Sequence, residues 1–128
     1  MSWSTLTYQT LMRIPLGTAL FEEIAFRGVL YGLWSTSLGP RRAGVASSVV
    51  FGMWHVTPML NLFHGSPLLN THFLLLVGVA GGVVSTFVGG LIFIWLRHRT
   101  GSVYGAALAH WAIDGLTTLA SFLSSQGK

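Results

Sequence analysis

The sequence predicts an all-α fold, a multi-pass transmembrane helical bundle of about four membrane helices within 128 residues. Three observations predict it. Hydrophobic residues make up 52% of the chain and charged ones 8%, with a mean hydropathy of +0.65, whereas a water-exposed domain carries roughly a quarter of its residues charged. The apolar residues fall in stretches of about twenty, the length at which a helix crosses the hydrocarbon core. Between those stretches the arginines come in pairs, Arg41 with Arg42 and Arg97 with Arg99, as charges that flank a membrane do. The same composition excludes a disordered chain. The lack of cysteine removes disulfides, a thiolate nucleophile and zinc sites built on sulfur. A net charge of +4 and a pI near 10.4 do not indicate a nucleic-acid partner, because the arginines form no continuous stripe with polar surroundings.

Taken in order, residues 1–13 lack the basic opening and cleavage site of a signal peptide and read as an interfacial segment. Helix A is expected over residues 14–34, with Pro15 tolerated in its first turn. Helix B begins near Ala43, after Gly39, Pro40, Arg41 and Arg42. Only about fifteen residues precede Pro58, roughly 22 Å of helix, so it is expected to continue to Phe63 with a kink. Residues 61–72 make an uncharged loop, residues 73–96 form helix C, and helix D runs from Ser102 to about Leu123. The core thus covers residues 14–123, followed by a short tail, 124–128. Gly28 with Gly32, Gly78 with Gly82, and Gly101 with Gly105 have the spacing that lets helix backbones approach and are expected to be packing features. Trp34, Trp95 and Tyr104 fit an interfacial belt. Four spans place both arginine pairs on one side, the expected cytoplasm of a prokaryotic plasma membrane. Both termini, with Arg13 and Lys128, then face away, and a first helix entering from outside leads to the expectation of further helices before it in a longer chain.

Only three acids occur, Glu22, Glu23 and Asp114, and all lie inside predicted spans. With Arg27 they would cost on the order of 10 kcal/mol in a membrane if left unpaired. Spacing supplies partners: Glu23 and Arg27 are four apart on one helix face, as are His110 and Asp114. Glu22 points about 100 degrees away from Glu23, without a cation on its own helix. His55 follows Phe51 by four and precedes the Pro58 kink. Counted from the cytoplasmic helix ends, Glu22, His55, His110 and Asp114 fall in one layer about 6 Å thick, roughly 12 to 18 Å deep. His64, His72 and His98 lie in loops or at helix ends and read as solvated. Carboxylates and imidazoles gathered in a low-dielectric pocket are the parts of a water-activating site. Paired aspartates, an HExxH helix and a serine elbow are all missing.

Glu22-Glu23-Ile24-Ala25-Phe26-Arg27 is EExxxR, Phe51 to His55 is FxxxH, and His110 to Asp114 is HxxxD. In order and separation these resemble the motifs of the CPBP family, the CAAX proteases and bacteriocin-processing enzymes also called the ABI family, across nearly the whole chain. The resemblance implies an intramembrane endopeptidase acting on peptide or protein substrates at the membrane, prenylated or leader-bearing. It implies that Glu22 activates the attacking water, that His55 and His110 complete the centre, and that Glu23 and Arg27 form a supporting ion pair. Asp114 stands where the family has Asn or Asp and would orient His110 or contact the water. Relatives carry additional membrane helices before the EExxxR helix. Two mechanisms stay open. His55, His110 and Glu22 could ligate zinc with one position free, or no metal takes part, Glu22 being the base and the imidazoles hydrogen-bonding the tetrahedral intermediate. The second is favoured, since ligation by Glu22 would leave only Asp114 as base. Non-enzymatic alternatives are a membrane scaffold or bacteriocin-immunity member of the same family, or an ion-coupled carrier fragment. Four helices without inverted repeats are few for a carrier, and the intact motifs favour catalysis.

Overall fold

A computed structural model describes residues 1–64, 66 and 71–127. Among the described residues there are four helical segments and no strand. Helix α1 runs without a break over residues 3–38, α2 is Pro40–Phe63, α3 is His72–Thr100 and α4 is Val103–Gln126. By length and composition, α2 and α3 are each apolar enough to cross a membrane. Consecutive helices pack on each other, and α4 returns to pack along Gln9–Leu20 of α1, so the four close into a ring. Large apolar side chains on the outside of that ring, such as Leu33, Leu62 and Leu116, are exposed, as a lipid-facing surface requires.

Several helix ends differ from expectation, each for a local reason. Helix α1 starts at Trp3 rather than Ile14, because the Ser2 side chain accepts from the Thr5 backbone N–H and caps the first turn. Pro15 therefore lies inside the helix. The turns around it are of the wide π type over Gln9–Leu20, a geometry that accommodates a missing N–H. A second π stretch covers Ile24–Leu30, directly after the two glutamates. Helix α2 starts at Pro40 rather than Ala43: Gly39 takes φ +76°, open to glycine, and proline suits the first helical position.

The break in α2 comes at His55, three residues before Pro58, where the chain takes φ −86° and ψ −2°. A proline ring collides with the carbonyl four residues earlier, here that of Trp54, so the helix yields just beyond that residue. Helix α3 extends to Thr100, past the expected Leu96. Arg97, His98 and Arg99 are thus its last turn rather than a loop, where cations suit the negative helix end. Gly101, at φ +68°, ends it. Helix α4 is capped by Ser102 and continues to Gln126, so most of the expected tail is helical. Part of the expected loop over residues 61–72, namely 65 and 67–70, and the terminal Lys128 lie outside the described residues.

The glycine spacing marks the close contacts only in part. A Cβ on Gly82 would stand 2.6 Å from Met59 Sδ of α2, and one on Gly105 would stand 2.7 Å from Thr100 Cγ2, whereas Gly32 has open space, Gly28 has only ordinary contacts and Gly101 is a turn residue. The seam between α2 and α3 continues along Gly44, Ser48 and Gly52 of α2 against Ile94, Gly90 and Val83 of α3. A Cβ on Gly52 would stand 3.0 Å from the Val83 carbonyl oxygen, and one on Gly90 would stand 3.0 Å from Ser48 Cβ. Ser47 and Ser48 are buried there with their hydroxyls donating to the Gly44 carbonyl. This is small-xxx-small packing with serine as one small member. It draws α2 and α3 together beside the polar layer.

Candidate active site

Three helices supply the polar side chains. Glu22, Glu23 and Arg27 come from the middle of α1, His55 from the bend in α2, and His110 and Asp114 from α4. Glu23 and Arg27 are fully buried, and Arg27 Nη1 donates to Glu23 Oε1 at 2.9 Å. The guanidinium carbon of Arg27 lies 3.9 Å from the centre of the Phe51 ring and 5.0 Å from that of Phe93, so its flat faces meet aromatic π-density. The lack of a side chain at Gly90 leaves room for Arg27 Nη2, which would lie 3.1 Å from a Cβ placed there.

The same Glu23 Oε1 receives a second hydrogen bond, 2.9 Å long, from His110 Nδ1. This fixes where a proton on that ring resides. A carboxylate accepts, so Nδ1 carries the hydrogen and Nε2 faces the other way. His110 is stacked on Phe93 with ring centres 5.0 Å apart and meets Phe51 edge-on, which holds the ring plane. His55 is anchored in the same manner: its Nδ1 donates to the Phe51 carbonyl at 2.8 Å, and its Nε2 is left pointing inward.

Both Nε2 atoms converge on one oxygen. Glu22 Oε2 is 3.9 Å from His55 Nε2 and 3.9 Å from His110 Nε2. It is buried and, among the described residues, has no hydrogen-bond partner. Separations of this size exceed a direct hydrogen bond but suit groups that share a small molecule between them. Asp114 Oδ2 stands 3.4 Å from His110 Nε2, with its side chain 34% exposed. A cavity of about 320 Å³ lies beside the two imidazoles, lined by His55, His110 and Asp114 together with Met59, Gly82 and Thr86. The sequence-predicted residues Glu22, Glu23, Arg27, His55, His110 and Asp114 are therefore brought together.

A model of the Rce1-like type II CAAX prenyl endopeptidase family matches residues 4–116. The chain belongs to that Rce1-like family. No curated protein and no solved structure matches it. Membership makes the bundle an integral-membrane protease fold of the CAAX type, and the matched span holds all three motifs.

In this Rce1-like chain His55 and His110, the two candidate metal ligands, each donate from Nδ1 to a protein acceptor, as metal-ligating imidazoles do. Their spacing from Glu22 is wide, however. Ligands 2.0–2.1 Å from a tetrahedral zinc stand about 3.3 Å apart, and both separations here are 3.9 Å. Among the described residues no group of three or more His, Asp or Glu side chains is close enough to hold a metal ion. The donor set thus does not fit a tetrahedral zinc shell as it stands.

Two site contributions carry no signal in the sequence. Phe93 stacks on His110 and faces Arg27, yet reads as one more apolar residue of α3. The bond between Glu23 and His110 joins residues 87 apart; helical spacing offered His110 only Asp114.

Proposed function

We propose that the chain is a membrane-embedded endopeptidase whose core, residues 14–123, hydrolyses a peptide bond with water activated by Glu22. The observation that carries this reading is the convergence of His55 Nε2 and His110 Nε2 on the unpartnered Glu22 Oε2. A water there lies within reach of one base and two imidazoles, which is the geometry general-base attack requires.

The steps follow from the anchored ring nitrogens. Glu22 Oε2 takes a proton from the water while its oxygen bonds to the scissile carbonyl carbon. His110, carrying protons on both nitrogens, donates from Nε2 to the resulting oxyanion. Glu23 and Asp114 balance its charge, as Glu23 does that of Arg27. His55, with its proton on Nδ1, offers the Nε2 lone pair to the water and holds it in line. Glu22 then passes the proton to the amide nitrogen, the C–N bond breaks, and an acid and an amine leave. Burial among Phe26, Phe51 and Phe93 keeps bulk water from weakening these interactions.

The family description supports a prenylated peptide or a peptide with a related C-terminal motif as substrate class, presented from the bilayer of the membrane that holds the bundle. The test uses the full chain in proteoliposomes with a library of prenylated and unmodified peptides. Glu22→Gln is expected to lower hydrolysis at least 1000-fold with helicity unchanged. Turnover undiminished in that variant excludes Glu22 as the base. Measuring metal per chain in the active preparation checks the mechanism separately: activity that tracks a stoichiometric metal overturns the metal-free scheme.

A further inference from the structure

A second polar cluster lies away from the site, where the C-terminal end of α3 meets the start of α2. Because all three acids of the chain belong to the active site, Arg41, Arg42, Arg97 and Arg99 have no carboxylate in this sequence to pair with there. Between α2 and α3 at this end is a cavity of about 360 Å³. Arg41 and His98 form its polar rim, and Val45, Leu91, Ile94 and Trp95 line the rest. The His98 ring is held in place by the buried Tyr31 of α1, its Nε2 3.0 Å from the Tyr31 hydroxyl. The Arg97 guanidinium lies over the same Tyr31 ring, 4.7 Å from its centre. Its Nε is buried and, among the described residues, unpartnered. Tyr31 is nine residues beyond Glu22 on α1, roughly 13 Å along the helix axis, so the cluster is separate from the chemistry.

We infer that this cavity binds a phospholipid with an anionic headgroup, its phosphate against Arg41 and His98 and its acyl chains along Val45, Leu91, Ile94 and Trp95. Charge complementarity selects the occupant. Four cations without protein counter-charges attract an anion strongly at a membrane surface. The apolar wall that continues from the rim has no use for a free inorganic anion, and a neutral lipid leaves the arginines unanswered. The amphipathic lining, cationic at the helix ends and aliphatic along the shaft, matches a molecule with both parts.

The test uses the full chain in neutral detergent, followed by thermal unfolding while phosphatidylglycerol, phosphatidylcholine, diacylglycerol or inorganic phosphate is added. Phosphatidylglycerol is expected to raise the unfolding midpoint saturably. The same concentrations of the other three are expected to give less than a tenth of that shift. In Arg41→Gln/His98→Gln the half-saturating phosphatidylglycerol concentration should rise tenfold or more. Arg41→Gln alone, at an exposed position, should raise it at least threefold even if the double variant folds poorly. Arg13→Gln, near the opposite end of α1, should respond as the parent does. An equal response to phosphatidylcholine or to phosphate alone overturns the inference, as does an unchanged response in Arg41→Gln. Because the readout is stability, peptide cleavage has no bearing on the outcome.

Discussion

Glu23 Oε1 accepts from both Arg27 Nη1 and His110 Nδ1, each at 2.9 Å, so one carboxylate oxygen couples an ion pair within α1 to the imidazole of α4. The arrangement separates stability from activity. Glu23→Gln leaves the Arg27 charge buried without its counter-charge, and such a loss costs about 3–5 kcal/mol. Replacing both partners, as Glu23→Leu/Arg27→Met, removes the charges and the acceptor together and should recover much of the unfolding midpoint while hydrolysis stays at least 100-fold down, because His110 Nδ1 no longer has a side-chain oxygen to orient it. Thermal unfolding and peptide cleavage on the same samples check this; parent-level cleavage in the double variant would show that Glu23 does not position His110. Asp114 allows a milder change. An Asn in its place keeps a side-chain oxygen facing Nε2, which stands 3.4 Å from Asp114 Oδ2, and Glu23 still balances the imidazole, so Asp114→Asn should keep activity within about tenfold, whereas Asp114→Leu should not. The i,i+4 pairs were legible in the sequence because helical geometry alone brings such residues together. The Glu23–His110 bond was not, since it depends on how two distant segments pack.

Helices were legible as elements, while their ends and their contacts were less so. Pro15 reads as a helix opener because proline is well tolerated in a first turn, but the Ser2 cap and the π turns carry α1 through it. Glycine spacing likewise marks where helices can approach, and the packing uses some of those positions, Gly82 among them, and not others, such as Gly32. The distinction yields a paired prediction. Gly52→Ala directs a methyl at the Val83 carbonyl oxygen and Phe87 Cβ. Neither can move without shifting α3, so overpacking of about 1–3 kcal/mol is expected. Gly32→Ala meets nothing within 4 Å and should be neutral or stabilising by up to about 1 kcal/mol, as alanine is the better helix former. Unfolding midpoints in one detergent decide the matter; equal losses in both variants would mean that α2 and α3 are not in contact along Gly44, Ser48 and Gly52.

At the scale of the whole molecule, the ring of four helices and the paired arginines predict a topology. The α1–α2 turn around Gly39 and the α3–α4 turn around Gly101 should share one side of the membrane, and both termini the other. The absence of native cysteine makes this directly measurable. Ser37→Cys and Ser102→Cys should be labelled by an impermeant thiol reagent from the arginine-rich side only, and Ser2→Cys and Ser124→Cys from the opposite side only. Labelling of Ser37→Cys and Ser102→Cys from different sides would rule out four spans.

Taken by itself, the sequence determined that the chain is helical and membrane-embedded, that its three acids lie within the spans, and which ionisable groups are neighbours on one helix. These properties follow from composition and from the 3.6-residue period, which are local. Only the tertiary structure decided that both imidazoles are pinned through Nδ1, that their Nε2 atoms meet at Glu22 Oε2, and that aromatic rings from three helices enclose Arg27. Those are contacts between segments far apart in the chain, and packing sets them: small residues in α2 and α3 permit the approach, and the collision of Pro58 with the Trp54 carbonyl turns His55 inward.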